Sequence, residues 1–259
     1  MLIAAAFLAL AQPAKAAPAA PPAASQALHG RVIALPDNAA AYVPASAPPR
    51  PALLVLLHGA GHRQAEMLEH FEAEADARGI ALLAPDSRGI TWDSVLNAEA
   101  PLSVDSPLAN EQSHLFTRST DAGRVEAAIG NLARTVPIDR ARTVLAGFSD
   151  GATFALAMGM SRDHPFEAVI AWSPGIAIRT ANPARGRPVY ISHGRQDPLL
   201  KFDVTADDIV PLVKSEGGAV TFLPFDGGHD APAWVKDAFL DAVLGKAVAR
   251  ASDVENGRQ

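Results

Sequence analysis

A chain of 259 residues is long enough for one domain with a sizeable core, and about half of its residues are hydrophobic. Its formal charge of −6, with no basic run, argues against a nucleic-acid partner. It has no cysteine, which excludes disulfides, a thiol nucleophile, thiolate zinc sites and iron–sulfur clusters together.

The first residues, "MLIAAAFLALAQPAKAAPAA", carry an apolar stretch from Leu2 to Leu10 and then Ala14-Lys15-Ala16. This pattern predicts a cleaved export signal over residues 1–16, shorter than the ~20 apolar residues of a membrane-spanning helix. Only the amino terminus supplies positive charge before the apolar run. An Ala/Pro-rich lead-in at 17–27 is expected to be disordered, 28–248 to fold, and 249–259 to form a polar tail. The expectation is an exported protein, periplasmic or extracellular, with no stable membrane insertion.

Short β-rich runs then alternate with longer helical patterns, which predicts an α/β fold built on a mostly parallel sheet. Residues 31–35 and 40–44 read as an opening pair of strands around Pro36-Asp37-Asn38. The uninterrupted apolar run at 52–59 suits a strand covered on both faces. A helix is predicted from Gln64 to Arg78, stopped by Gly79, and the next strand at 80–85. From Asp86 to about Ser113 little periodicity remains, so a long loop is expected there. A helix at 117–135, a strand at 142–148, a helix at 150–161 and strands at 167–172, 188–194 and 219–225 follow. Helices are predicted at about 205–215 and 232–248. The count is eight strands, with Ser149 after the fifth.

At that point stands "GFSDG", Gly147 to Gly151, a G-x-S-x-G between an apolar strand and a helix. In a nucleophile elbow the serine occupies a sharp strand-to-helix turn that leaves no room for flanking side chains. A serine hydroxyl also needs a base to take its proton, and in this topology the order is Ser, acid, His. His229, in "FDGGHDAP" after the last strand, takes the place of the base. His164 ends the helix after the elbow, and His193 closes the seventh strand, where a structural role is expected. Asp197, in "HGRQDPLL", is the candidate acid; Asp203 is the alternative, and Asp226 reads as a turn residue.

Acyl transfer needs N–H donors for an oxyanion. Asp150 supplies one backbone amide, and Ala60 in "LLHGAGHRQ" is the candidate for the other. His58 is expected to be structural. His58 and His62 are a poor metal pair, because Gly-Ala-Gly between them is not helical and no Glu accompanies them. A dinucleotide loop is disfavoured because position 64 is Gln rather than the third glycine. Trp92 and Trp172 are open to two readings, substrate wall or core.

Together "LLHGAG", "LLAPDSRG-TWD", "GFSDGA", "SHGRQDPLL" and "FDGGH" resemble the α/β-hydrolase superfamily. Within it the chain is similar to phospholipase/carboxylesterase and polyhydroxybutyrate-depolymerase-like esterases. The resemblance spans residues 52–229. It implies that the eight strands form one sheet of the α/β-hydrolase kind flanked by helices, a Ser149–Asp197–His229 triad, an Ala60/Asp150 oxyanion hole and no cofactor; no metal is expected from the residues themselves. The oxyanion loop carries one Gly-Ala after His58 rather than a His-Gly-Gly-Gly run, and His62 is bulkier than the corresponding residue of many relatives. The length leaves no room for a large cap domain, so His62, Trp92 and Trp172 are the candidate pocket residues. The implied substrate is a small-molecule or polymeric carboxylic ester. Depolymerase-like, feruloyl-type, thioester and peptide substrates stay open on the same machinery, as does a non-catalytic binding protein.

Overall fold

The computed structural model describes residues 30–99, 115–116 and 119–246. The expected export signal, the lead-in and the polar tail lie outside them. The strands in chain order are β1 (Arg31–Ala34), β2 (Ala40–Val43), β3 (Ala52–Leu57), β4 (Ala81–Ala84), β5 (Leu115–Phe116), β6 (Asp139–Phe148), β7 (Ala168–Trp172), β8 (Arg179–Thr180), β9 (Pro188–Gly194) and β10 (Ala219–Phe225). The helices are α1 (Gln64–Arg78), α2 (Asp93–Glu99), α3 (Thr120–Ala133), α4 (Asp150–Gly159), α5 (Val210–Ser215) and α6 (Ala233–Leu244), with a π-helical turn at Val204–Ile209 leading into α5.

Eight strands form one sheet in the order β1-β2-β4-β3-β6-β7-β9-β10. β2 is antiparallel to both neighbours, and every other pairing in this sheet is parallel. The side chains of β3 show why its run lacks polar alternation. Leu53, Val55 and Leu57 enter a core with Val125, Ile129 and Leu132 of α3, Phe154 of α4 and Val213 of α5. Leu54 and Leu56 enter the opposite core, with Met67 and Phe71 of α1 and Val235, Phe239 and Leu240 of α6. Successive residues of a strand face opposite ways, so a strand between two helical layers must be apolar throughout. Truncating one of these leucines to alanine costs about 2–5 kcal/mol. Arg78 at the end of α1 fastens the outer layer to α6 through Asp237 at 2.8 Å and Asp241 at 2.6 Å.

Two local features depart from the sequence reading. The expected loop after Asp86 contains helix α2, whose approach is fixed by buried Trp92 and Val95. Asp93 also caps α3: its carboxylate accepts from the Ser119 hydroxyl at 2.6 Å and the Thr120 amide at 2.7 Å. The second feature is a separate parallel ladder in which Leu115 and Phe116 pair with Arg179 and Thr180. Among the described residues no helix is long and apolar enough to cross a membrane.

Candidate active site

In a parallel sheet the strands deliver their C-terminal ends to one edge, and the loops leaving that edge carry the candidate residues. β6 ends at Phe148 and α4 begins at Asp150, so a single residue, Ser149, makes the reversal. Its backbone stands at φ 58°, ψ −123°. For a residue with a side chain that conformation costs about 1–3 kcal/mol and persists only where its surroundings impose it. Here the Ser149 amide donates to the Trp172 carbonyl at 2.9 Å, while the Ser149 carbonyl accepts from Ala152 at 2.9 Å and Thr153 at 3.1 Å. A Cβ on Gly147 would collide with the Gly151 carbonyl, and one on Gly151 with the carbonyls of Leu57 and His58. Although it stands at the helix N-cap, the Ser149 side chain makes no capping hydrogen bond.

The loop after β3 passes directly beside this turn. A Cβ on Gly59 would lie 3.1 Å from the Ser149 Cβ. The Gly61 amide donates to the Ile90 carbonyl at 2.8 Å and the His62 amide to Gly59 at 3.2 Å. Among the described residues the Ala60 and Asp150 amides have no such backbone partner. His58, at the base of the loop, is wholly buried. Its Nδ1 is 2.8 Å from the Gly59 carbonyl, and the Ser87 amide donates to Nε2 at 3.2 Å. Burial pushes the His58 ring below its ordinary pKa, with the Gly59 carbonyl and Asp86 opposing it.

β9 and β10 bring the acid and the base together. The His229 Nδ1 lies 2.6 Å from Asp197 Oδ2, and the Leu199 and Leu200 amides donate to Asp197 Oδ1 at 2.8 and 2.9 Å. Burial alone would raise the Asp197 carboxyl. The Leu200 amide, the His229 ring and the Leu199 amide outweigh it and hold the group below the ordinary carboxylate range. The two loops meet because Gly194 has no side chain: a Cβ there would run into the Gly227 and Gly228 carbonyls. The Gln196 amide donates to Gly227 at 2.9 Å and ties the loops further. His229 packs against Phe148, the neighbour of Ser149, with ring centroids 4.8 Å apart. The structure thus pairs Asp197 with His229 and sets that imidazole beside the elbow.

The remaining candidates separate clearly. Trp92 and Trp172 are both wholly buried, so the pocket-wall expectation gives way to packing. The Trp92 indole N–H donates to the His58 carbonyl at 2.8 Å, and its ring stacks on Phe154. Trp172 packs on Phe71 in the opposite core. His62, just before α1, is exposed beside Gly59 and lies 2.5 Å from Glu66 in the helix's first turn, and this contact lowers the Glu66 pKa. His164 pairs with Glu126 at 2.8 Å, while Asp226 lies 3.8 Å from Arg195. Asp203 precedes the π-helical turn. No group of three or more His, Asp or Glu residues suited to a metal ion occurs among the described residues.

Two contacts at this edge escape the sequence reading. Thr91 donates its hydroxyl to Asp150 Oδ2 at 2.7 Å, and His193 Nε2 lies 3.0 Å from Asp197 Oδ2. The strand-end position in "SHGRQD" signals proximity for His193; nothing in the sequence signals Thr91. A cavity of about 520 Å³ lies elsewhere, lined by Arg140, Thr143, His164 and Arg187 among others. Thr143 is the first residue of the buried stretch of β6 that leads to the elbow, so this cavity belongs to the other end of the strand.

The sequence profile of the phospholipase/carboxylesterase family matches residues 38–234. The putative hydrolase MhqD of Bacillus subtilis (strain 168) is 24% identical over 203 residues, covering 73% of this chain and 94% of that protein. The poly(3-hydroxybutyrate) depolymerase LpqC of Bordetella parapertussis superposes with a TM-score of 0.61 at 19% identity, over 88% of this chain and 94% of its own. Esterase PE8 superposes with a TM-score of 0.54 at 21% identity, over 83% and 99%. This chain has the α/β-hydrolase fold, with the eight-stranded sheet and flanking helices described above and no large cap among the described residues. With the family profile covering β2 to β10, the elbow and the acid and base loops alike, the chain belongs to the phospholipase/carboxylesterase family and is a hydrolase of that kind.

Proposed function

We propose that the protein is a serine hydrolase that cleaves carboxylic esters through an acyl-enzyme. The observation that carries this reading is the backbone of Ser149, held at φ 58°, ψ −123° with an uncapped hydroxyl at the edge where His229 meets Asp197. Ser149 Oγ attacks the ester carbonyl carbon while His229 Nε2 takes the hydroxyl proton. Asp197 remains a carboxylate and fixes the ring with the other proton on Nδ1. The carbonyl oxygen becomes an oxyanion, for which the unpartnered Ala60 and Asp150 amides are the donors. The intermediate collapses, the C–O bond to the alcohol breaks, and His229 returns its proton to the leaving oxygen. Water then attacks the acyl-enzyme, giving a proton to His229, and Ser149 departs with that proton as the acid is released.

Apolar groups at the same edge support a substrate with an apolar portion. Ile90, whose carbonyl anchors Gly61, is 69% exposed; Leu199, beside Asp197, is 73% exposed; Trp234, five residues beyond His229, is 55% exposed. They stand beyond the C-terminal ends of β4, β9 and β10 respectively. An edge with no large cap among the described residues also suits chain-like esters, and the fold shared with a polyester depolymerase agrees with this. The leader pattern supports export of the mature chain, which amino-terminal sequencing of secreted material would check.

Fluorophosphonate labelling followed by peptide mapping tests the nucleophile. Wild-type protein should be labelled at Ser149 and Ser149→Ala should not be. A panel of p-nitrophenyl esters from acetyl to palmitoyl, beside a thioester, a peptide and a 3-hydroxybutyrate polymer, sorts the substrates. Equal labelling of Ser149→Ala, or turnover of the peptide alone, would overturn the reading.

A further inference from the structure

The Asp197 carboxylate receives more donors than the triad requires. Oδ1 takes two backbone amides, and Oδ2 is shared between His229 Nδ1 at 2.6 Å and His193 Nε2 at 3.0 Å. His193 is wholly buried, and an imidazole is a costly group to bury without a partner for each nitrogen. Each nitrogen has one. Nε2 faces two acceptors, Asp197 Oδ2 and the Leu200 carbonyl at 3.1 Å, so it must carry a proton. Burial lowers the pKa of the ring, against the pull of the Leu200 carbonyl and Asp197, and favours a single proton. Nδ1 is then bare and lies 2.8 Å from the Thr205 hydroxyl, whose one proton it shares with the Pro174 carbonyl.

Thr205 is itself buried and belongs to the π-helical turn at Val204–Ile209. Such turns are rare and cluster at functional sites. Its Oγ1 also lies 2.9 Å from the Pro174 carbonyl, and the edge of Phe202 packs against the His193 ring with centroids 6.1 Å apart. The contacts close a ring: His193 holds the Leu200 carbonyl, Leu200 holds Asp197 Oδ1, and Asp197 Oδ2 returns to His193. The titratable neighbours of this ring are Asp197 and His229; Arg195 stands over Phe202, 5.0 Å from its centroid.

We propose that His193, locked by Thr205, is a positioning residue that keeps the Asp197 carboxylate aimed at His229 through the reaction cycle. This rests on the serine-hydrolase reading. Without the Nε2–H donor, the carboxylate can turn about its Cβ–Cγ bond and meets the His229 imidazolium with its charge less shared. Three variants separate this role from bulk packing. His193→Gln places an amide N–H near the position of Nε2, His193→Leu supplies none, and Thr205→Val keeps shape but loses the hydroxyl.

The experiment combines p-nitrophenyl acetate kinetics against pH, the downfield proton resonance of His229 Nδ1–H, fluorophosphonate labelling and thermal unfolding. In His193→Leu and Thr205→Val, kcat should fall about 10- to 100-fold with KM little changed, the magnitude expected for a small misplacement of a catalytic group. The acid limb of kcat/KM and the downfield resonance should both move in His193→Leu, and His193→Gln should restore both. A folded His193→Leu with wild-type kcat and an unmoved resonance overturns the proposal. If His193→Leu does not fold, wild-type kcat and resonance in Thr205→Val do so. Failure of the parent reading looks different: wild-type Ser149 is then unlabelled, while the resonance still reports whether His193 governs the Asp197–His229 pair.

Discussion

The hydroxyl of Thr91 donates to the carboxylate of Asp150 at 2.7 Å, across a sequence separation of 59 residues. One residue thereby has two separable parts at this edge: a backbone amide beside the elbow and a side chain that fastens the loop after β4. Asp150→Ala deletes the second and keeps the first. Fluorophosphonate should still label the variant at Ser149, with stability reduced by about 1.5–3 kcal/mol for a lost hydrogen bond to a charged group. Denaturant unfolding beside labelling decides this; loss of labelling in a folded variant would show that the carboxylate itself is needed.

Gly194 offers a test of loop placement that leaves the reacting side chains intact. In Gly194→Ala the new methyl meets the carbonyls of Gly227 and Gly228, so the turn bearing His229 must shift. We expect kcat to fall about 100-fold or more, while labelling of Ser149 slows without being abolished. Unchanged kinetics would mean that the turn accommodates a methyl group without moving His229.

Asp197→Asn removes the charge that supports the His229 imidazolium and leaves the shape. Ester hydrolysis at neutral pH should drop by about 10³- to 10⁴-fold. A loss below tenfold would point to Asp203 or another acid, and double variants would then identify it.

Acid should weaken the fold through its buried imidazoles. His58 and His193 both have pKa values pushed below 6.5 in the folded chain, first by burial. An unfolded chain therefore binds more protons than the native one below that pH. The stability they contribute is complete above pH 6.5 and is lost as the pH falls toward each folded value. Each contributes a slope of up to about 1.4 kcal/mol per pH unit in that window. Urea unfolding at pH 8, 6 and 5 should show the fall, and His193→Gln should make it shallower. An equal slope in that variant would place the protons elsewhere.

How much of this was legible beforehand follows the range of the forces involved. The central strands of the main sheet announce themselves in runs such as "ALLVLL", because two-sided cover demands unbroken apolar residues. "GFSDG" was legible for a similar local reason: steric exclusion around a tight turn leaves glycine as the tolerated residue. Helix α2 was not legible, since its seven residues are held by the burial of Trp92 and Val95 and not by periodicity. The two-residue ladder of β5 with β8 is set by tertiary approach, and so small a pairing leaves no pattern. Trp92 and Trp172 could not be sorted from sequence because a large aromatic suits a core and a pocket equally. The strand end of His193 points to a structural role beside the acid loop, but its contact with Asp197 depends on the course of the Leu199–Leu200 turn. The partnership of Thr91 with Asp150 has no local signature at all.

The backbone of Ser149 also bears on the balance between folding and chemistry at this position. Glycine would sit at φ 58°, ψ −123° with little penalty, so Ser149→Gly is expected to raise stability by about 1–3 kcal/mol in denaturant unfolding. A side chain held where glycine would fit with less strain marks a position governed by chemistry in preference to folding.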